Sequence, residues 1–280
     1  IARNAYAYLH EAAATLLFEF DKILGATVAG PVAVSYYSIA GTIGQKIQGA
    51  IGSLTSIIMP VSAALSARNE TERIRTIYQR AVRVTLLVAS ALAVAVIGFG
   101  PEILRYWVGP SFEQNSLYAL YILAVTYFLL AIFTVFGHFL LGIGAVKELA
   151  EYTAIFAGLN LILLFIFLPR LGINGAAWAY LLCLMPLPLF IAKAEKKMLK
   201  IQNPGEFYLT HGVRILAAGV IMYFVARLIA TTLVINFPGL IMLSLLWLIG
   251  YIFLYRILRF INSEDWQVIT LACKRIFKKS

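Results

Sequence analysis

Apolar runs of roughly 18 to 25 residues, each closed by a short polar break, repeat from Gly30 to the end of the chain, and the Lys and Arg residues collect at every second break. Hydrocarbon offers no hydrogen-bond partner to a bare backbone, so a chain that crosses it repeatedly does so as helices whose backbone bonds are made internally. The pattern predicts an all-α fold, a polytopic transmembrane helical bundle. Composition points the same way. With 61% hydrophobic and 13% charged residues, the chain holds too little polar surface to coat a water-soluble globule of 280 residues.

Eight spans are expected: about Ala5 to Val28, Val32 to Ala64, Ile77 to Phe99, Ser116 to Leu141, Tyr152 to Leu168, Gly175 to Ala192, Tyr208 to Thr231 and Phe237 to Leu258. The second is longer than a bilayer requires, so it is expected to run past the surface or to bend before Pro60. No break is long enough for a soluble domain, which gives one membrane domain over residues 1–260 and a basic tail over 261–280. The chain opens on Ile1 without a signal peptide, and the expectation is that an N-terminal portion precedes it.

The break at residues 66 to 83 carries five Arg residues, Arg68 to Arg83, whereas residues 100 to 115 hold only Arg105. Lys147 marks the next break, Arg170 stands alone in the Pro169-to-Asn174 turn, and Lys193 to Lys200 supply four cations to the one after. Residues 232 to 236 have none, and the C-terminal end is basic again. Under the positive-inside rule this alternation puts both ends of the chain in the cytoplasm. In the tail, Trp266, Ile269, Cys273, Ile276 and Phe277 recur at helical spacing with acids in the first turn and Lys and Arg in the last. That predicts an amphipathic helix lying on anionic lipid. The net charge of +10 is therefore read as directed at membrane lipid, with no nucleic acid partner expected. Cys183 and Cys273 have neither disulfide nor metal spacing, so no metal site and no cofactor are expected.

Polar residues inside the spans are the candidates for function, because a charge at membrane depth costs on the order of 3 kcal/mol and normally faces a bundle interior or an aqueous cavity. In the first span Glu11, Thr15, Glu19 and Lys22 share one helical face, with Asp21 pointing elsewhere. In the second, Thr42, Lys46, Gly49, Ser53 and Ser56 form a stripe with Gln45 and Gln48 beside it. Lys46 lies roughly 20 Å along the helix, too deep to snorkel easily. Two such stripes facing each other would line a hydrophilic path. Glu19 and Lys22 can equally neutralise each other as a structural pair, and the small residues of the second span can be close-packing positions.

Motifs of soluble chemistry are missing from the sequence: no phosphate-binding loop, no dinucleotide fingerprint, no H-E-x-x-H and no nucleophile elbow. No enzymatic activity is expected, and an ion-driven transporter or a passive flippase remains.

Phe20-Asp21-Lys22-Ile23-Leu24-Gly25, then Val34 to Ala40, then Ile58-Met59-Pro60-Val61-Ser62 resembles the opening of the C-terminal half of Wzx-type polysaccharide-unit flippases, in the multidrug/oligosaccharidyl-lipid/polysaccharide exporter superfamily. Gly100 to Leu104 with Val108 to Phe112 is similar to their outer break. Leu141 to Lys147, followed by Asn160, Pro169, Gly172, Gly175, Ala176 and Ala177, is similar to their P-x-x-G-x-x-G-A-A element. The order and spacing of these pieces over about residues 19 to 180 carry the resemblance.

The resemblance implies a C-terminal lobe plus two extra helices of a two-lobed exporter in the cytoplasmic membrane of a bacterial or archaeal cell, one that moves an undecaprenyl-pyrophosphate-linked oligosaccharide outward by alternating access, in contact with a polysaccharide biosynthesis complex. The substrate-cavity set would be Lys46, Gln45, Gln48, Thr42 and Ser53, with Lys46 as a point charge for phosphate. Glu19 and Asp21 would serve ion coupling or hold Lys22. The alternatives are a cation-drug exporter of the same superfamily, which the central Lys46 opposes by Coulomb repulsion, and a membrane-embedded polymerase or ligase, which would need a larger outer loop.

Overall fold

The computed structural model describes residues 2–234 and 236–257, so the amphipathic tail expected at residues 261–280 lies outside the described residues. The described residues are helical with no strands. They form α1 (Ala2–Val28), α2 (Pro31–Thr55), α3 (Ile58–Ala67), α4 (Thr71–Gly98), α5 (Gly100–Ile103), a π-helical turn (Leu104–Val108), α6 (Pro110–Gly142), α7 (Val146–Leu171), α8 (Ile173–Cys183), α9 (Leu187–Met198), α10 (Pro204–Leu233) and α11 (Phe237–Ile257). Seven segments are long and apolar enough to cross a membrane: α2 with α3, α4, α6, α7, α8 with α9, α10 and α11. The fold is a polytopic helical bundle. The remaining helix, α1, has the length of a span at 27 residues, but Glu11, Glu19, Asp21 and Lys22 interrupt its apolar stretch, and it is not among the seven.

Helix ends differ from the sequence-based boundaries where polar residues continue a helix instead of breaking it. The Arg-rich stretch at 66 to 83 is a break only from Arg68 to Glu70; from Thr71 it is the first turns of α4. Charged side chains tolerate a helix well once it leaves the hydrocarbon, so charge alone marks the membrane surface and not the helix end. Residues 100 to 115 are likewise helical for most of their length. Helix α7 runs through Pro169 to Leu171, and the turn is set by Gly172 at φ 58°, a conformation open to glycine. The single span expected from Gly175 to Ala192 is two helices, because Pro186 and Pro188 lack the N–H groups that would carry α8 onward. The bend expected before Pro60 is the Ser56-Ile57 turn between α2 and α3.

Side-chain contacts fix which helices run in the same direction. Tyr36 near the start of α2 meets Ser111 at the start of α6, and Thr55 at the end of α2 meets His138 near the end of α6. His10 and Thr153 join the first turns of α1 and α7, while Arg227 joins the last turns of α10 to the end of α4. The α3–α4, α6–α7 and α9–α10 connections therefore share one face of the bundle, with Arg68, Arg73, Arg75, Lys147, Lys193, Lys196 and Lys197. The opposite face holds Arg105 and Arg170.

Helix α6 is central, packed against α2, α3, α4 and α8, and its apolar residues are buried around its circumference. The approach of α2 to α6 requires Gly44: a Cβ there would overlap the Tyr127 ring. Interlocked apolar surface of this kind, with small residues at the crossing, is what associates helices when lipid is as apolar as the core.

Candidate functional site

Helix α2 buries one face against α6, through Tyr37, Ala40, Gly44, Ile47 and Ile51, and exposes the other. The exposed face runs Ser35, Thr42, Lys46, Gly49, Ser53 and Ser56, about one residue per turn for most of the helix. Thr42 donates to the Ser38 carbonyl at 2.8 Å, Ser53 to that of Gly49 at 3.0 Å and Ser56 to that of Ser53 at 3.1 Å. Each hydroxyl proton is spent inside the helix, and oxygen lone pairs are left facing outward. Lys46 stands at mid-helix on this face, exposed and with no ion-pair partner among the described residues.

The five residues of the expected cavity set divide. Lys46, Thr42 and Ser53 are exposed together, whereas Gln45 and Gln48 turn toward α6. The Gln48 side-chain amide donates to Thr134 Oγ1 at 3.2 Å, and Gln45 pairs with the Tyr127 hydroxyl.

Other exposed faces of the bundle are different in kind. Helix α7 presents Ile155, Ile162 and Phe165; α10 presents Leu216, Val220 and Phe224; α11 presents Leu245, Ile249 and Phe253. Those faces suit lipid tails. A face carrying a free ammonium and a row of hydroxyls suits water or another protein surface, because charge in hydrocarbon is costly.

In α1, Glu11, Thr15 and Glu19 are exposed, and the Lys22 ammonium pairs with Glu19 at 2.8 Å. The stripe on α1 is thus closed upon itself at its last turn, and it does not reach across to α2. Asp21 points inward and is only 4% exposed. Its carboxylate accepts from the Tyr37 hydroxyl and, at 2.8 Å, from the backbone N–H of Lys22. Around it, Tyr37, Tyr127 and Tyr180 bring α2, α6 and α8 together, with the Tyr127 and Tyr180 rings edge to face at 5.9 Å.

These tyrosines were not singled out by sequence reasoning. A tyrosine within an apolar span is a usable signal, since its hydroxyl needs a partner once buried. Two further groups were also missed. Glu195, 2% exposed, accepts from Tyr78 at 2.8 Å and from Tyr208 at 2.6 Å, joining α9, α4 and α10. Glu102, at the α4–α5 corner, accepts from Arg227 of α10 at 2.9 Å. His138, half-buried on α6, is hydrogen-bonded to Thr55 at 3.1 Å. Among the described residues no group of His, Cys, Asp and Glu is placed to hold a metal ion.

The MatE family profile matches residues 7–166. No curated protein matches the chain in sequence. Among solved structures, the fold is similar to that of a lipid II flippase, MurJ, in an inward closed conformation, with a TM-score of 0.65 and 19% identity over 87% of this chain and 52% of that one. It is also similar to the outward-facing conformation of a multidrug resistance MATE family transporter of the MOP superfamily, with a TM-score of 0.50 and 20% identity over 77% of this chain and 50% of that one. The chain spans about half the length of these structures.

Proposed function

The chain belongs to the MatE family, whose profile covers more than half of it, and on that premise we propose that it is the C-terminal lobe of a Wzx-type flippase that moves undecaprenyl-pyrophosphate-linked oligosaccharide units across the cytoplasmic membrane for surface polysaccharide synthesis. The observation that carries this reading is the outward face of α2, polar along its length and centred on Lys46, in a bundle whose α7, α10 and α11 present apolar faces. A lipid-linked pyrophosphate brings negative charge and a polar sugar to mid-membrane depth. A lysine can meet the phosphate as a point charge, and the outward-facing oxygens of Thr42, Ser53 and Ser56 can accept from sugar hydroxyls. The face would then line a cavity shared with a second lobe. Solved structures of similar fold include a lipid II flippase.

The second reading is an ion-coupled exporter of organic cations, for which the buried Asp21 carboxylate is the favouring observation. In the flippase reading the same carboxylate serves ion coupling, while Glu19 and Lys22 form a structural pair. Orientation follows the charge: the basic face of the bundle lies in the cytoplasm.

The test is complementation of a bacterial strain deleted for its own repeat-unit flippase, using the full-length gene with and without Lys46→Ala at matched protein level. Surface polymer restored by the intact gene and lost with Lys46→Ala supports both the cargo and the site. Restoration by both genes keeps the cargo and removes Lys46 from it. Failure of the intact gene together with resistance to cationic dyes replaces the flippase by the drug exporter.

A further inference from the structure

A cleft of about 720 Å³ opens at the corner between α9 and α10, on the basic face of the bundle. Its walls are fixed from behind. Tyr208 and Tyr78 both donate to the buried Glu195, and Leu199 and Ile201 of the connecting segment are buried, so α9 and the first turns of α10 cannot part without losing these contacts. Lys193 and Lys196, three residues apart on α9, point into the cleft with no ion-pair partner among the described residues. Lys197, on the neighbouring face of the same helix, is engaged by Glu148 at 3.9 Å. The side chains of Gln202 and Asn203 add amide donors, and Glu206 contributes one carboxylate. The lining carries a net charge of +1, from two lysines and one glutamate.

The cleft continues into apolar surface on both walls. On α9 the exposed Leu189 precedes Lys193 by four residues, one turn along the same face. On α10 the cleft residue Leu209 is followed by Val213 and Leu216, all exposed and at helical spacing. A cationic, hydrogen-bonding pocket that opens onto two apolar strips has the shape of a whole lipid molecule, with a charged end and a hydrocarbon end. A soluble phosphate would use only the first.

We propose that this cleft is a binding site for an anionic phospholipid of the adjacent leaflet. Its phosphate sits between Lys193 and Lys196, headgroup hydroxyls donate to Glu206, and acyl chains lie against Leu189 and the strip beginning at Leu209. The volume falls within the roughly 300–1,000 Å³ usual for small-ligand sites. The site is separate from the α2 face and does not rest on the identity of the cargo.

The test is native mass spectrometry of the full chain in mild detergent, titrated with phosphatidylglycerol, phosphatidylcholine or glycerol 3-phosphate. Both lysines are exposed, so the Lys193→Ala/Lys196→Ala variant is expected to stay folded and monodisperse. Phosphatidylglycerol retention should fall about 30-fold in that variant, from the attraction usual for two lysines at an anionic surface. Phosphatidylcholine retention should stay unchanged, and Lys147→Ala, at a different connection of the same face, should leave phosphatidylglycerol bound. Equal retention in the double variant overturns the site. Equal loss with Lys147→Ala replaces it with diffuse surface charge, and displacement of the lipid by glycerol 3-phosphate reassigns the cleft to a soluble phosphate ester.

Discussion

The contact between Arg227 and Glu102 is expected to anchor α10 to the α4–α5 corner, and its strength can be worked from the geometry. Arg227 Nη1 lies 2.9 and 3.2 Å from the two Glu102 oxygens and 2.9 Å from the Gly98 carbonyl. One nitrogen has two protons, so the carboxylate shares one of them and the carbonyl takes the other; there are two effective bonds and no fork. The side chains are 27% and 13% exposed. Breaking a fully buried pair from one side costs about 3–5 kcal/mol, and an exposed pair is worth about 0–1 kcal/mol. The observed burial lies between, and about 2 kcal/mol is expected for Arg227→Met or for Glu102→Gln. The double variant should recover part of that, with a coupling of about 1–1.5 kcal/mol, above the roughly 0.6 kcal/mol average of interhelical hydrogen bonds in a membrane. Reversible unfolding in mixed micelles, followed by circular dichroism for the four members of the cycle, measures it. Additive single effects, or losses below about 0.5 kcal/mol each, would refute the anchoring role.

Two glycines of α2 should respond with opposite signs. Gly44→Ala pushes a methyl into the Tyr127 ring and should cost about 1–3 kcal/mol, whereas a Cβ at Gly49 meets open space, and Gly49→Ala should gain up to about 1 kcal/mol in the same unfolding assay. Tyr78→Phe and Tyr208→Phe each remove one donor from the buried Glu195, and each should lower stability by about 1–3 kcal/mol; thermal shifts within error of the parent protein would show that Glu195 does not rely on them. Cysteines placed at Thr42 and Ser53 should react with a polar maleimide in intact membranes, and one at Val220 should not. Equal labelling of all three would end the claim that the α2 face is wet. The native Cys183 is fully buried, so it should label only after unfolding.

Seven of the eight expected spans and the bend in the second were legible because long apolar runs and proline leave few alternatives in hydrocarbon; the first expected span, α1, is a helix whose charged residues set it apart from those seven. Helix ends were less so. Arg73, Arg75 and Arg80 read as a break, yet they continue α4, because a helix emerging into water needs no apolar face to persist. The split at Pro186 was hidden by a run that stays apolar on both sides of it. For the site, the spacing of Thr42, Lys46 and Ser53 correctly placed them on one face, but the neighbouring glutamines were assigned to it by proximity in sequence. Gln45 and Gln48 lie one turn edge away, where α6 offers Tyr127 and Thr134, and only the partner helix decides that. Asp21 was separable from the Glu11–Glu19 stripe by periodicity. Its partner Tyr37 was not, since it lies sixteen positions further on, in the next helix.

Lys46 and Asp21 have opposite sign and opposite address. Lys46 faces out of the bundle and Asp21 faces in, on neighbouring helices. A cavity wall formed by α2 would offer a visiting molecule the ammonium and the hydroxyl oxygens; the carboxylate would be reached only through the bundle. Between them stand Tyr37, which donates to Asp21, and Tyr127, which pairs with Gln45, the residue preceding Lys46 on α2. Any change at Asp21 that alters its hold on Tyr37 would act on α2, and α2 carries the cargo-facing charge in the flippase reading. Arrangements of this kind separate the binding of cargo from the binding of a driving cation while joining both to one helix. That argues for an anionic cargo on the α2 face even where the carboxylate binds a cation, since Lys46 would repel a cationic cargo there.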